Sequence, residues 1–276
     1  MIQTERMPRN RTYLMCPPEH FTVEYAINPW MDTTVPVDAG LAVKQWEILR
    51  YTLTDLGHVV HVLEAQPGLP DQVYAANGAF SIDGTVYGAR FKHPQRAAEA
   101  AVHERFYRSQ AGWRFTSPAH VNEGEGDFAY LPAAYGGLIL AGHGFRTEPA
   151  AHAEAQEVLG RPVISLRLVD PAFYHLDTAL AALDDRTVAY YPDAFSPGSQ
   201  AVLARLFPDA VIADRADAEA FGLNLVSDGL HVILNTEATA MACKVRAAGY
   251  RPVPVELSEL KRGGGSVKCA VAELRP

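Results

Sequence analysis

Apolar and polar positions along this chain follow a pattern that repeats. Phe80 to Tyr87 reads as two short strands around the turn Asp83-Gly84, since two-residue alternation broken by such a dipeptide marks a hairpin. A helix is predicted over Pro94 to Gln110, with Ala97, Ala98, Ala101, Val102 and Phe106 on one side. A strand follows over Trp113 to Thr116. The same order then recurs. Phe128 to Leu131 and Leu138 to Ala141 flank Gly136-Gly137, before a helix over Glu148 to Leu159 and a strand over Val163 to Leu168. Thr178 to Leu183 and Thr187 to Tyr191 flank Asp184-Asp185, before a helix over Ser199 to Leu206 and a strand over Ala210 to Ile212. Asn224 to Val226 and His231 to Leu234 flank Asp228-Gly229, before a helix over Thr236 to Ala248 and a strand over Pro252 to Leu257. Each unit runs for about 45–50 residues.

A fifth unit is split between the two ends of the chain. Val267 to Leu274 supplies its first strand; Thr12 to Cys16, the amphipathic helix Leu41 to Leu56 and the strand His58 to Leu63 supply the rest. A repeat whose last copy borrows from both ends closes into a ring. The expected fold is therefore α/β, a five-bladed α/β propeller spanning residues 1–276 as one catalytic domain, with an open α/β sandwich as the alternative. The axis of such a ring is where a site is expected. Chemistry-bearing residues fall at one recurring place, the entrance to each unit's first strand. These are Asn77; Glu123, Glu125 and Asp127; His175 and Asp177; Asn224; and Cys269.

Cys269 follows Gly263-Gly264-Gly265-Ser266-Val267-Lys268. A thiol, a histidine beside an acid in Phe173-Tyr174-His175-Leu176-Asp177, and a flexible glycine approach are the parts of a cysteine hydrolase. The alternative for a lone cysteine in a strand is a small buried hydrophobe. On the catalytic reading an alkylating reagent is expected to reach Cys269 before Cys16 or Cys243.

Composition narrows the field. Of 276 residues 48% are hydrophobic and 20% charged, with a net charge of −8. No basic run exists, so nucleic acid and anionic membranes are not expected partners. No stretch approaches the roughly 20 apolar residues of a spanning helix, and Met1 to Arg11 lacks a secretory apolar region. Three cysteines, Cys16, Cys243 and Cys269, do not suggest a disulfide framework, and reducing cytoplasm is the expected compartment. His58 and His61 read as strand surface positions. No spacing suggests zinc and no glycine-rich loop suggests a phosphate site, so no cofactor or metal is expected.

Taken together, several motifs resemble the guanidine-modifying, pentein-fold superfamily, which includes arginine deiminases, dimethylarginine dimethylaminohydrolases, amidinotransferases and arginine dihydrolases. They are Pro70-Asp71, Tyr74-Ala75-Ala76-Asn77, Glu123-Gly124-Glu125-Gly126-Asp127, Gly144-Phe145-Arg146-Thr147, His175-Leu176-Asp177 and Gly264-Gly265-Ser266-Val267-Lys268-Cys269. Met15-Cys16-Pro17-Pro18-Glu19-His20-Phe21, Ile27-Asn28-Pro29-Trp30-Met31, Phe173 to Thr178 and Tyr190-Tyr191-Pro192 are similar to the arginine dihydrolase branch, and the resemblance covers nearly the whole chain. It implies Cys269 as nucleophile, His175 as general acid/base and an acid partner from the Glu123 to Asp127 loop. Glu123 fits the family spacing, while the local register also permits Glu125.

The resemblance also implies a small-molecule substrate, arginine or a methylated arginine. A resonance-stabilised cation needs carboxylates around it, and Asp177 corresponds to the acid that holds a free guanidinium. Asn77 stands where deiminases carry aspartate. An amide both donates and accepts, so it can hold a guanidinium and also the ureido group left after one hydrolysis. This favours an arginine dihydrolase, giving ornithine, carbon dioxide and ammonia. The alternatives are a dimethylarginine dimethylaminohydrolase or a deiminase giving citrulline, and, further off, an amidinotransferase. Arg96 and Arg146 are expected to clamp the substrate carboxylate through their planar forks, and Asp71 and Asn28 to meet its α-amino end. A homo-oligomer is compatible with all of this.

Overall fold

The computed structural model describes residues 6–276. Its elements run β1 (Thr12–Met15), α1 (Ala39–Asp55), β2 (Val59–Val62), β3 (Ala79–Ile82), β4 (Thr85–Gly88), α2 (Glu99–Ser109), β5 (Arg114–Thr116), β6 (Phe128–Leu131), β7 (Leu138–His143), α3 (Pro149–Leu159) and β8 (Val163–Arg167). They continue with β9 (Leu180–Ala182), β10 (Val188–Tyr190), α4 (Pro197–Leu206), β11 (Val211–Ile212), α5 (Arg215–Glu219), β12 (Val226–Ser227), β13 (His231–Asn235), α6 (Thr239–Ala247), β14 (Arg251–Val255), α7 (Ser258–Lys261) and β15 (Ala272–Leu274).

Among the described residues the strands form five three-stranded sheets, ordered β15-β1-β2, β3-β4-β5, β6-β7-β8, β9-β10-β11 and β12-β13-β14. Each pairs its first two strands antiparallel and its second and third parallel. The parallel partners need a crossover, and a helix supplies it in every unit. The ring is closed by the chain ends, where Thr12 pairs with Leu274 and Leu14 with Ala272.

The middle strands carry the core. In β7, Leu138 to Gly142 are all buried, as a strand covered on both faces requires. Helix starts are set locally. The Asp38 side chain caps α1 at Leu41 N, Ser196 caps α4 at Ser199 N, and Pro149 and Pro197 open α3 and α4, where a missing N–H costs nothing. The first strands β3, β6, β9, β12 and β15 stand around the axis, with β15 against β3, β6 against β9 and β9 against β12.

Several boundaries differ from the sequence expectation. The predicted strand Val267 to Leu274 is a strand only from Ala272. Residues before it form a tight turn, with Ala270 N bonded to Ser266 O at 3.2 Å and Val271 N to Lys268 O at 3.0 Å. Cys269 thus sits on a turn, not in a strand. The predicted helix Pro94 to Gln110 begins as a separate 3₁₀ turn, Pro94–Arg96. His61 is exposed as expected, but His58 is buried: its Nδ1 accepts from Arg11 N at 3.2 Å and its ring meets Tyr13 edge-on.

Candidate active site

The entrances of the five first strands converge at one end of the axis. The groups gathered there are nearly all buried, Cys269 being 2% exposed and His175 1%. Cys269 Sγ has two polar neighbours. Asn224 Nδ2 donates to it at 3.1 Å, and the thiol itself donates to Asp177 Oδ2 at 3.2 Å. Burial first, and then the Asp177 charge, push the thiol well above its usual range, against the Asn224 bond. Burial likewise pushes Asp177 up to about 6, against the charges of His175 and Lys268. The free site therefore holds a thiol rather than a thiolate. A cation arriving beside it would favour the charged form.

Asn224 organises the nucleophile's turn. Its Oδ1 accepts from Ser266 N at 3.0 Å and Cys269 N at 3.2 Å, while Nδ2 also reaches Asp177 O at 3.2 Å. Sequence reasoning placed Asn224 at an equivalent entrance but gave it no role; that register position was the only signal available.

Glu123 and His175 form the second group. His175 Nε2 donates to Glu123 Oε2 at 2.7 Å, and Arg146 Nη1 donates to the same oxygen at 2.9 Å. Burial raises the Glu123 carboxyl, but Arg146, His175 and Arg96 outweigh it and hold the group well below the usual carboxylate range. His175 Nδ1 is buried without a partner. Asp127 fixes this arrangement from behind, accepting Leu176 N on Oδ1 at 3.0 Å and Thr147 Oγ1 on Oδ2 at 2.7 Å.

Glu125, the other candidate acid partner, is not part of this group. Its carboxylate turns along the axis, onto Lys268 Nζ at 2.6 Å, Glu273 N at 2.9 Å and the Arg275 guanidinium. The intervening Gly124 has φ +53°, and a Cβ there would lie 2.7–2.8 Å from backbone atoms of Ala76 and Ala79. Only glycine fits this kink, and the kink sends the two glutamates apart.

The remaining candidates lie in the same buried end but are already engaged. Arg96 donates to both oxygens of Glu99 at 2.9 and 2.7 Å, to Asn77 Oδ1 at 2.9 Å and to Asp71 O at 3.2 Å. Four of its five N–H groups are thus used. Arg146 uses fewer, on Glu123 and on Ile27 O at 2.9 Å, and stacks over Tyr174. Asp71 Oδ2 accepts from Tyr25 OH at 2.9 Å, while its Oδ1 is buried and unpartnered. Asn28 is bonded on both sides, to Gly263 O at 3.0 Å and from Trp30 N at 2.9 Å.

Asn28 and Tyr25 belong to the irregular stretch between β1 and α1, which covers the site through Tyr25–Asp71, Ile27–Arg146, Asn28–Gly263 and Trp30 Nε1–Ala172 O. The glycine run expected to be flexible is packed tight. A Cβ on Gly264 would meet Asn28 at 2.6 Å, and one on Gly265 would meet the Tyr74 ring at 2.5 Å. Exposure in the free protein does not favour the expected order of thiol labelling. Cys243 is exposed while Cys16 and Cys269 are buried with raised thiols, so a reagent meets Cys243 first in the free protein.

Comparison with known proteins identifies the family and the fold. No family model matches the chain. It is 54% identical over 271 residues to N(G),N(G)-dimethylarginine dimethylaminohydrolase of Mycobacterium tuberculosis, covering 98% of this chain and 88% of that one. It is 32% identical to the bifunctional arginine dihydrolase/ornithine cyclodeaminase ArgZ of Synechocystis over 93% of this chain, which spans 36% of that longer protein. The crystal structure of the N-terminal domain of ArgZ, a cysteine-to-serine mutant bound to substrate, superposes with a TM-score of 0.92 at 31% identity, covering 96% of this chain and 98% of that one. Identity of 54% and 32% over more than nine-tenths of this chain, together with a fold that superposes on the ArgZ domain, places this chain in the guanidine-modifying, pentein-fold superfamily, within its branch of cysteine hydrolases that act on the guanidino group.

Proposed function

We propose that this chain is a cytoplasmic arginine dihydrolase, acting as one catalytic domain, that takes arginine and two waters to ornithine, carbon dioxide and ammonia. Cys269 Sγ attacks the guanidino carbon and His175 passes a proton to the departing nitrogen. Water then hydrolyses the covalent adduct with His175 as base. Glu123 keeps His175 oriented and Arg146 keeps Glu123 ionised. Asn77 and Asp177 hold the reacting group. The substrate carboxylate falls to Arg146, which retains three free N–H groups, and the α-amino group to the unpartnered oxygen of Asp71.

The observation that carries the reading is the Asp177 carboxylate, 3.2 Å from the Sγ that attacks the guanidino carbon. Such a group welcomes the N–H donors of an unsubstituted guanidinium and is poorly satisfied by methyl groups. A second reading, dimethylarginine hydrolysis to citrulline, is favoured by the 54% identity to the mycobacterial protein of that name.

Product analysis with arginine, citrulline and dimethylarginine as separate substrates tests both. Ornithine and about two ammonia per arginine, with citrulline also consumed, is the expected outcome. Arginine turnover that stops at citrulline, or preference for dimethylarginine, turns the assignment to the second reading.

A further inference from the structure

Behind the catalytic groups the ring axis is hollow. A cavity of about 230 Å³ runs along the first strands, from Asp177, Glu125 and Lys268 at the catalytic end to Asp184 and Asp185 at the other. It has room and polar partners for several waters. Glu273, Ser227 and the Tyr13 hydroxyl line it, and that hydroxyl is buried and unpartnered. Carboxylates outnumber cations on its walls, the cations being Arg11, Lys268 and Arg275. An excess proton is therefore better tolerated there than in a neutral channel.

The thiol of Cys269 must lose its proton before it can attack, and its surroundings leave few exits. Sγ is buried, Asn224 Nδ2 beside it can only donate, and His175 Nε2 is occupied by Glu123. The stretch from Tyr25 to Trp30 closes the site on the substrate side. The acceptor in contact with Sγ is Asp177 Oδ2. The same side chain lines the axial cavity, and its Oδ1 has no protein partner.

We propose that Asp177 is a proton relay, taking the Cys269 proton on one carboxylate oxygen and handing it to water in the axial cavity, so that the far end of the ring serves as the proton port of the nucleophile. The S–H bond breaks as an O–H bond forms on Asp177. That proton then passes to a cavity water, leaving hydronium in the acidic cavity and Asp177 again an anion able to pair with the guanidinium. Nothing is oxidised or reduced. The charged or titratable groups facing Asp177 are His175, Lys268, Cys269 and Asp127. The placement of Lys268, paired with Glu125, lets the relay oxygen return to its anionic form.

The inference rests on Cys269 being the nucleophile. The test follows ultraviolet thiolate absorbance after mixing with arginine in a stopped-flow instrument, taking the difference from Cys269→Ala to remove Cys16 and Cys243. Ala181→Leu narrows the cavity from a buried wall position, and Ala182→Phe does so from a half-buried one that tolerates bulk more readily. Each should slow thiolate formation by roughly 100-fold, the low end of what positioned proton transfer contributes, with arginine affinity and melting temperature close to wild type. In the wild type, thiolate formation should also slow in heavy water. Unchanged rates in folded, filled variants, or no slowing in heavy water, overturn the relay alone. No thiolate signal in the wild type removes the nucleophile assignment and the relay with it.

Discussion

The two ends of the ring axis are built from the same five strands, yet they handle charge in opposite ways. At the entrance end, single atoms carry two partners. Glu123 Oε2 holds both His175 and Arg146, and both side chains of that ion pair are almost wholly out of water. At the exit end, Arg161–Asp83 ties two neighbouring units together and Arg9–Asp185 joins the segment before β1 to a unit further round the ring, both as partly exposed pairs. Buried charges are costly unless fully paired, and exposed pairs are worth little. The entrance end therefore trades stability for a site whose charges are fixed in advance, whereas the exit end tolerates change.

That contrast breaks down first at the nucleophile. Cys269→Ala should lower turnover by about 10⁴-fold or more with the melting temperature nearly unchanged. Retained turnover would remove the cysteine mechanism.

Glu123→Gln should come next. It removes the anion beneath Arg146 and His175 and should cost about 3–5 kcal/mol of stability, the range for breaking a buried ion pair, along with most of the activity. Because the Glu123 carboxyl is held below its usual range, its contribution is full above about pH 4.3 and is lost as pH falls through the lower folded value. Acid unfolding of the variant should accordingly depend less on pH over that window. An unchanged acid limb in denaturation experiments would show that the pair is not maintained in solution.

Arg146→Ala should weaken arginine binding by roughly 1.5–3 kcal/mol, with lysine restoring only part of it. Agmatine, which lacks the carboxylate, should be a poor wild-type substrate. Equal wild-type rates with arginine and agmatine would mean that no carboxylate clamp operates. The smallest effect belongs to the exit end. Arg161→Ala should change stability by less than about 1 kcal/mol, and a larger loss in a urea titration would contradict the asymmetry between the two ends.

Much of the ring was legible because its cause is periodic. Hairpin turns such as Asp83-Gly84 and Asp228-Gly229 and the strands beside them obey local rules, and the split unit followed from counting. The meeting of Asn77, Glu123, His175 and Cys269 at one end followed from their equal register. Local rules failed where a single backbone torsion or a long-range contact decides. Gly124 at positive φ separates Glu123 from Glu125; the family spacing pointed to Glu123, but the local register could not see the kink. Asn224 matters through four hydrogen bonds reaching over 40 residues along the chain. The burial of the three glycines before Cys269 depends on Tyr74 and Asn28, which are distant in sequence.

The pairing of β1 with β15 has a consequence for how the ring is assembled. This contact joins residues some 260 positions apart, and the cysteine lies only a few residues before β15. Non-local pairings form slowly, because loop closure must be completed before they contribute any stability. Four units can collapse while the fifth still lacks its inner strand, and in such a species the turn that carries Cys269 has no strand to anchor it. A nascent or truncated ring missing this segment would display an unpaired β1 edge beside apolar residues of α1. Such a species would be open to aggregation and to proteolysis before it could hydrolyse anything.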